Sequence, residues 1–233
     1  MKAAILAGGK GSRLMEETRD KPKALVEIGG EPIVRHIMSH YTRYGIHEFV
    51  IALGHHAGVL QDYFHLHPSA NVTLVDTGVD TATGGRVKRL QPYLGNETFM
   101  LTWCDGVSDV DFHRLLAFHR RHGKLVTVTA VHPPARFGIL KLRGDYVEEF
   151  REKPAARDEW INGAFFVVEP RALDYIDGDQ TPWEGEPMER LAREGELVAY
   201  RHEGFWQCMD TIHEKAQLEE MLRSGHAPWR LTQ

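Results

Sequence analysis

Between residues 6 and 23 the chain gathers Leu6, Ala7, three glycines (Gly8, Gly9, Gly11), the hydroxyl of Ser12 and the cations Arg13, Lys21 and Lys23. Glycine lets a backbone approach a ligand closely. Bare N–H groups at the end of a strand form a concavity that accepts anions. With three fixed positive charges beside it, the expected ligand is a polyphosphate. Two common phosphate loops do not fit. A Walker loop places Lys-Ser/Thr after its last glycine, whereas Gly11 is followed by Ser12 and Arg13. A dinucleotide fingerprint needs a third glycine where Leu14 stands.

Four further segments carry chemistry. Phe99 to Trp103 reads as a buried strand that runs through Cys104 into Asp105 and Gly106, and ligands of open α/β sheets sit beyond such strand ends. A carboxylate there suits a hard cation such as Mg2+ held against phosphate oxygens. The alternative for Asp105 is a capping role before a helix at 111. Asp210 precedes the terminal helix and suits either an N-cap or a second metal carboxylate. Lys153 stands before Pro154, which favours an extended backbone and a fixed ammonium for a second phosphate. Alone, Glu152-Lys153-Pro154 is also a solvated loop. Asn162 and Gly163 offer an amide and close backbone approach to sugar hydroxyls. Finally, Asp76-Thr77-Gly78 and Thr81-Ala82-Thr83-Gly84-Gly85-Arg86 suit a base or ribose pocket, where paired glycines would permit flat stacking. His65/His67 and His119/His122 have no further ligands near them and read as solvated.

The elements that must position these groups follow from periodicity. Strands are expected at 2–7, 48–53, 71–75, 98–103 and 125–131, with helices at 32–44, 57–66, 84–94 and 111–122. That alternation predicts an α/β fold, a mostly parallel, Rossmann-like mixed sheet with helices on both faces. Strands at 137–142, 146–150 and 161–168, a helix near 184–194, a strand at 197–201 and a helix at 211–223 complete the chain. We expect one domain over 1–233, with a nucleotide-binding half (1–135) and a sugar-phosphate-binding half (136–233), because no linker separates them. A net charge of −5 argues against nucleic acid as a partner, and no apolar run reaches the ~20 residues of a membrane span. Two cysteines make no disulfide framework, so a cytoplasmic protein is expected.

Taken together, these stretches resemble the glucose-1-phosphate cytidylyltransferase family of nucleotidylyltransferases over nearly the whole chain. The matching pieces are Gly8 to Leu14, Lys21-Pro22-Lys23, Asp76-Thr77-Gly78, Thr83-Gly84-Gly85-Arg86, Asp105-Gly106-Val107, Trp160-Ile161-Asn162-Gly163 and Met209-Asp210-Thr211. The resemblance implies a CTP loop at residues 6–13, with Lys23, Thr81, Arg86 and Cys104 also at the nucleotide. It implies Mg2+ on Asp105 and Asp210, sugar 1-phosphate on Lys153, and a homo-oligomer. Arg13, Lys23, Asp105 and Lys153 would carry catalysis. The chain departs from the family at Cys104 and Ala164, where glycine is usual, at Cys208, where proline is usual, and in a shorter stretch between Phe64 and Asn71. Two other readings stay open: a nucleotidylyltransferase for another base or sugar, and a non-catalytic nucleotide-sugar-binding regulatory module. The last should lack a metal carboxylate or a substrate lysine, and this chain keeps all four.

Overall fold

The structure is a computed structural model that describes residues 1–69, 71–133, 138–152 and 159–230. Its elements in chain order are β1 (Lys2–Leu6), α1 (Met15–Thr18), β2 (Glu27–Ile28), β3 (Glu31–Pro32), α2 (Ile33–Arg43), β4 (Glu48–Leu53), α3 (Ala57–Leu66), β5 (Val72–Asp76), α4 (Thr83–Leu94), β6 (Phe99–Trp103), β7 (Gly106–Ser108) and α5 (Phe112–His122). There follow β8 (Val126–Val131), β9 (Ile139–Arg143), β10 (Tyr146–Arg151), β11 (Ile161–Val168), α6 (Glu186–Arg193), β12 (Leu197–Arg201), β13 (Trp206–Cys208) and α7 (Ile212–Arg223).

Seven strands form one sheet in the order β12-β8-β11-β6-β1-β4-β5. β11 runs antiparallel to both its neighbours, and every other adjacent pair in this sheet is parallel. The two expected halves share this sheet: β11 and β12 from the second flank β8 from the first. The chain leaves β1, builds β4 and β5 on one side, and returns through α4 to β6 on the other. Strand order therefore reverses beside β1, which opens a crevice at the carboxyl ends of β1 and β6. The glycine loop and Asp105 both emerge there.

Alternation along the strands feeds two cores. Ala3, Ile5, Ile51 and Leu53 pack with Ile33 and Ile37 of α2, Leu60 of α3, Phe112 and Leu115 of α5 and Leu218 of α7. Ala4, Leu6, Val50 and Ala52 pack with Val87 and Leu90 of α4 and Leu191 of α6. Helices cover both faces, which is why these strands read as continuous apolar runs.

The long elements fall within a residue or two of their expected bounds. Two short ladders do not appear in the sequence pattern: β2–β3, and β7–β13. β11 carries a register shift between Asn162 and Phe166, with Ala164 at φ 59° in the left-handed region. β9 and β10 pair only with each other, and their side chains are exposed throughout.

Candidate active site

The β7–β13 ladder brings Asp105 and Asp210 together. Gly106 pairs with Cys208, and the Met209 amide donates to the Asp105 carbonyl at 2.7 Å. Each aspartate flanks this ladder, so the two carboxylates face one point. At that point lies Lys23, in the helical turn that follows Pro22. Its Nζ donates to Asp105 Oδ2 at 3.0 Å and to Asp210 Oδ1 at 2.5 Å. Arg13 Nη1 lies 2.6 Å from the other oxygen, Asp210 Oδ2. Burial opposes the Lys23 charge, but the two carboxylates outweigh it and hold the ammonium's pKa above its usual value.

Neither aspartate is spent on a helix. Thr211 caps α7, its hydroxyl accepting from the Glu214 amide at 3.2 Å while the Glu214 carboxylate accepts from the amides of Thr211 and Asp210. Asp111 caps α5 by accepting from the Arg114 amide at 3.0 Å, and Asp109 meets His202 at 2.9 Å. Cys208, Asp210 and Glu214 also cluster within 4.8 Å, but this capping box accounts for the Glu214 carboxylate there. Two carboxylates meeting at one buried cation form a hard-oxygen donor pair, and that chemistry fits a divalent cation such as Mg2+.

Beside this cluster lies a cleft of about 430 Å³. Leu6, Gly8, Gly9, Gly11, Ser12, Arg13, Lys23, Thr81, Arg86, Cys104 and Asp105 all line it. Ala7 is buried behind the loop, its amide donating to the Ala52 carbonyl at 2.9 Å. Lys10, Val79, Asp80, Ala82, Thr83 and Trp103 complete the wall. Lys10 falls within the expected loop at 6–13, and Ala82 and Thr83 within the 81–86 motif. Sequence reasoning did not single out Val79, Asp80 and Trp103 as site residues, because the first two lie between motifs and the third ends a strand that reads as buried.

The roles within the wall are uneven. Arg86 is buried and donates to the carbonyls of Leu53 (2.9 Å), Gly78 (2.7 Å) and Val79 (3.0 Å) and to the Thr77 hydroxyl (2.7 Å). Burial lowers its pKa from the usual value. A Cβ at Gly8 would stand 2.3 Å from the Arg86 guanidinium, so only glycine lets the loop pass over it. Thr81 donates its hydroxyl proton to the Thr77 carbonyl at 2.5 Å. The pair Gly84-Gly85 does not present a flat face to the cleft. A Cβ would lie 2.6 Å from the Thr181 carbonyl oxygen at Gly84 and 2.4 Å from that of Asp179 at Gly85. These glycines admit the 178–185 segment against the start of α4, and the Ala82 amide donates to the Asp179 carbonyl at 2.8 Å.

The acceptor residues stand elsewhere. Asn162 and Gly163 lie at the irregular start of β11, outside the cleft wall. Asn162 Oδ1 accepts from the Ala164 amide at 2.8 Å, and the Gly163 carbonyl accepts from Trp206 Nε1 at 2.7 Å. Lys153 lies outside the described residues. Burial, with the nearby Asp105 charge, pushes the Cys104 thiol up to about 12, so this cysteine is a packing group with no thiolate at neutral pH. His119 corrects the expectation of a solvated side chain. It is buried between the Thr127 hydroxyl at 2.8 Å and the Glu169 carboxylate at 3.0 Å.

A family model described as nucleotidyl transferase matches residues 2–211. The chain is 47% identical to the glucose-1-phosphate cytidylyltransferase of Salmonella typhimurium, over 99% of both chains. It is 29% identical to the mannose-1-phosphate guanyltransferase of Emericella nidulans, over 88% of this chain and 60% of the relative. In fold it matches HddC from Yersinia pseudotuberculosis, whose structure is complexed with GMP-PN, at TM-score 0.77 and 20% identity over 95% of this chain and 99% of that one. UDP-glucose pyrophosphorylase complexed with UDP-glucose matches at TM-score 0.74 and 14% identity, over 96% of this chain and 98% of that one. The chain belongs to the nucleotidyl transferase family, and within it to the glucose-1-phosphate cytidylyltransferases.

Proposed function

We propose that the protein transfers the cytidylyl group of CTP to α-D-glucose 1-phosphate, giving CDP-glucose and pyrophosphate. The observation that carries the chemistry is the meeting of Asp105, Asp210, Lys23 and Arg13 at the edge of a glycine-walled cleft. The choice of cytidine and glucose rests on end-to-end similarity to a protein of that name.

In this reading a phosphate oxygen of the sugar 1-phosphate attacks the α-phosphorus of CTP in line, and pyrophosphate leaves. The attacking phosphate has a second pKa of about 6 and is already ionised at neutral pH. No general base is needed, so none of the 14 histidines needs a role. The protein's task is to hold two anions together and to neutralise charge that builds on phosphorus. Arg13 and Lys23 supply two positive charges, which Asp105 and Asp210 cancel formally. Asp105 and Asp210 would hold Mg2+, which supplies the excess positive charge that a triphosphate requires. The amides of the loop at residues 8–11 receive phosphate oxygens. Arg86 acts through the wall: by gripping the carbonyls of Gly78 and Val79 it fixes backbone acceptors beside the nucleotide. Such a fixed acceptor distinguishes the amino group of cytosine from the carbonyl of uracil, because UTP would oppose two acceptors. Lys153, with Asn162 and Gly163, serves the acceptor in the second half of the chain.

Pyrophosphate release measured with CTP, UTP, dTTP and GTP against a panel of sugar 1-phosphates tests this. CTP with glucose 1-phosphate is the expected best pair. A catalytic efficiency with UTP within threefold of that with CTP removes the cytidylyl assignment. A better sugar removes only the glucose.

A further inference from the structure

The 178–185 segment brings one more charged group to the cleft. Glu184 Oε2 accepts from the Thr83 hydroxyl at 2.5 Å, and Glu184 Oε1 accepts from Trp103 Nε1 at 3.1 Å. Thr83 and Trp103 both line the cleft: the first opens α4 and the second ends β6. The clamp is tightened from behind, where the Trp183 amide donates to the Thr83 hydroxyl at 2.9 Å. Arg89 and Asp179 form a fork at 2.6–2.9 Å that pins the same segment to α4. Glu184 thus sits on a braced support at the rim, and its side chain remains exposed.

We propose that Glu184 is a specificity-determining residue that accepts a hydrogen bond from a ring hydroxyl of the acceptor hexose. The inference rests on the nucleotidyl-transfer reading given above. A carboxylate is acceptor-only and has room for about four hydrogen bonds, of which Thr83 and Trp103 take two. An open carboxylate at the rim of a site built for anions repels phosphate, so its partner is a neutral donor. Position selects the donor. Trp103 ends β6 two residues before Asp105, which ties Glu184 to the strand end that carries a metal aspartate, where in this reading the acceptor's phosphate meets the nucleotide. A hexose joined to that phosphate presents hydroxyls there, whereas the base belongs beside the turn at 77–79.

Steady-state rates with CTP test the proposal, using glucose 1-phosphate and its 2-, 3-, 4- and 6-deoxy forms on wild type, Glu184→Ala and Glu184→Gln. In wild type, removal of the hydroxyl that Glu184 holds should cost roughly 10- to 100-fold in kcat/KM, the scale of a hydrogen bond to a charged group. In Glu184→Ala the full sugar should lose a similar factor, and that same deletion should then cost less than about threefold. The preference for CTP over UTP should not change. Glu184→Gln retains an oxygen for Trp103 and an amide for Thr83, so it keeps the question open to test if the alanine variant fails to fold. It should show a reduced penalty for the same single hydroxyl. The proposal is overturned if every deletion costs the variants as much as wild type, or if the CTP/UTP ratio moves in place of the sugar pattern. Wild type that fails to join CTP to glucose 1-phosphate overturns the underlying reading, a result visible before any variant is made.

Discussion

Two carboxylates share the Lys23 ammonium and hold its pKa up against the opposing effect of burial. Without the ammonium, Asp105 and Asp210 would face each other across a largely buried space, and like charges so close oppose joint ionisation. Lys23→Ala is therefore expected to lose turnover and to become dependent on a divalent ion for stability: its thermal midpoint should rise more on addition of Mg2+ than that of wild type. An equal response in both proteins argues against a shared metal position. Asp105→Asn and Asp210→Asn should each reduce turnover by at least about 100-fold at saturating substrates. A few-fold effect in either, with Mg2+ present, sinks the metal assignment. Lys153→Ala should raise the KM for sugar 1-phosphate by roughly 10- to 100-fold and leave that for CTP nearly unchanged. Equal effects on both substrates would end that division of labour. Ala164 makes a quieter test. Its φ of 59° costs an L-residue about 1–2 kcal/mol, which glycine avoids while losing part of the gain to a freer unfolded chain. Ala164→Gly should raise stability by up to about 1 kcal/mol, measured by denaturant midpoint; a clear loss contradicts that account.

At the scale of elements, the strong periodic runs were legible because burial on both faces leaves long apolar stretches with helical intervals between them. The three-residue ladder β7–β13 was not, since three residues carry no period, and its partners are distant in sequence. That ladder explains why Asp210 is free for the site: Thr211, one residue later, takes the capping role that Asp210 could also have filled. The glycine loop and its cations were readable from residue type, whereas residue type left a capping role open for Asp105 and Asp210, and only their partnership and the family resemblance pointed to a metal. The use of Gly84-Gly85 was not readable, because a close backbone approach and an open binding face call for the same residue. Their true partner is the 178–185 segment, so Gly84→Ala and Gly85→Ala should push that segment away from α4. We expect a loss of about 1–3 kcal/mol of stability together with a higher KM for CTP. A normal KM in a stable variant would show that the segment does not shape the nucleotide wall.

The whole molecule should weaken in acid through two buried imidazoles. His40 Nε2 donates to the Val110 carbonyl at 2.8 Å, and burial lowers its pKa to about 4. His36 Nε2 donates to the Ile28 carbonyl at 3.0 Å, and burial lowers its pKa too. Both are neutral in the fold and protonate in the unfolded chain near the usual 6.5. The unfolded chain thus binds more protons, and stability falls as pH drops below 6.5. For His40 the slope is about 1.4 kcal/mol per pH unit until about 4. Thermal midpoints between pH 7.5 and 5 should show the decline, and His40→Phe should reduce its slope and leave the His36 share. An unchanged slope in that variant assigns the acid sensitivity to other groups.

Lys23 and Asp210 are 187 residues apart along the chain. Their meeting is a statement about time as well as place. A nascent chain carries its complete nucleotide loop after a few dozen residues, yet it holds only half of its paired carboxylates until Asp210 has been made and β13 has found β7. Contacts of such long range close late, because the entropy of a large loop must be overcome first. The site that turns nucleotide over is therefore complete only when this pairing has closed, whereas the loop for the phosphates lies within a short local stretch of chain.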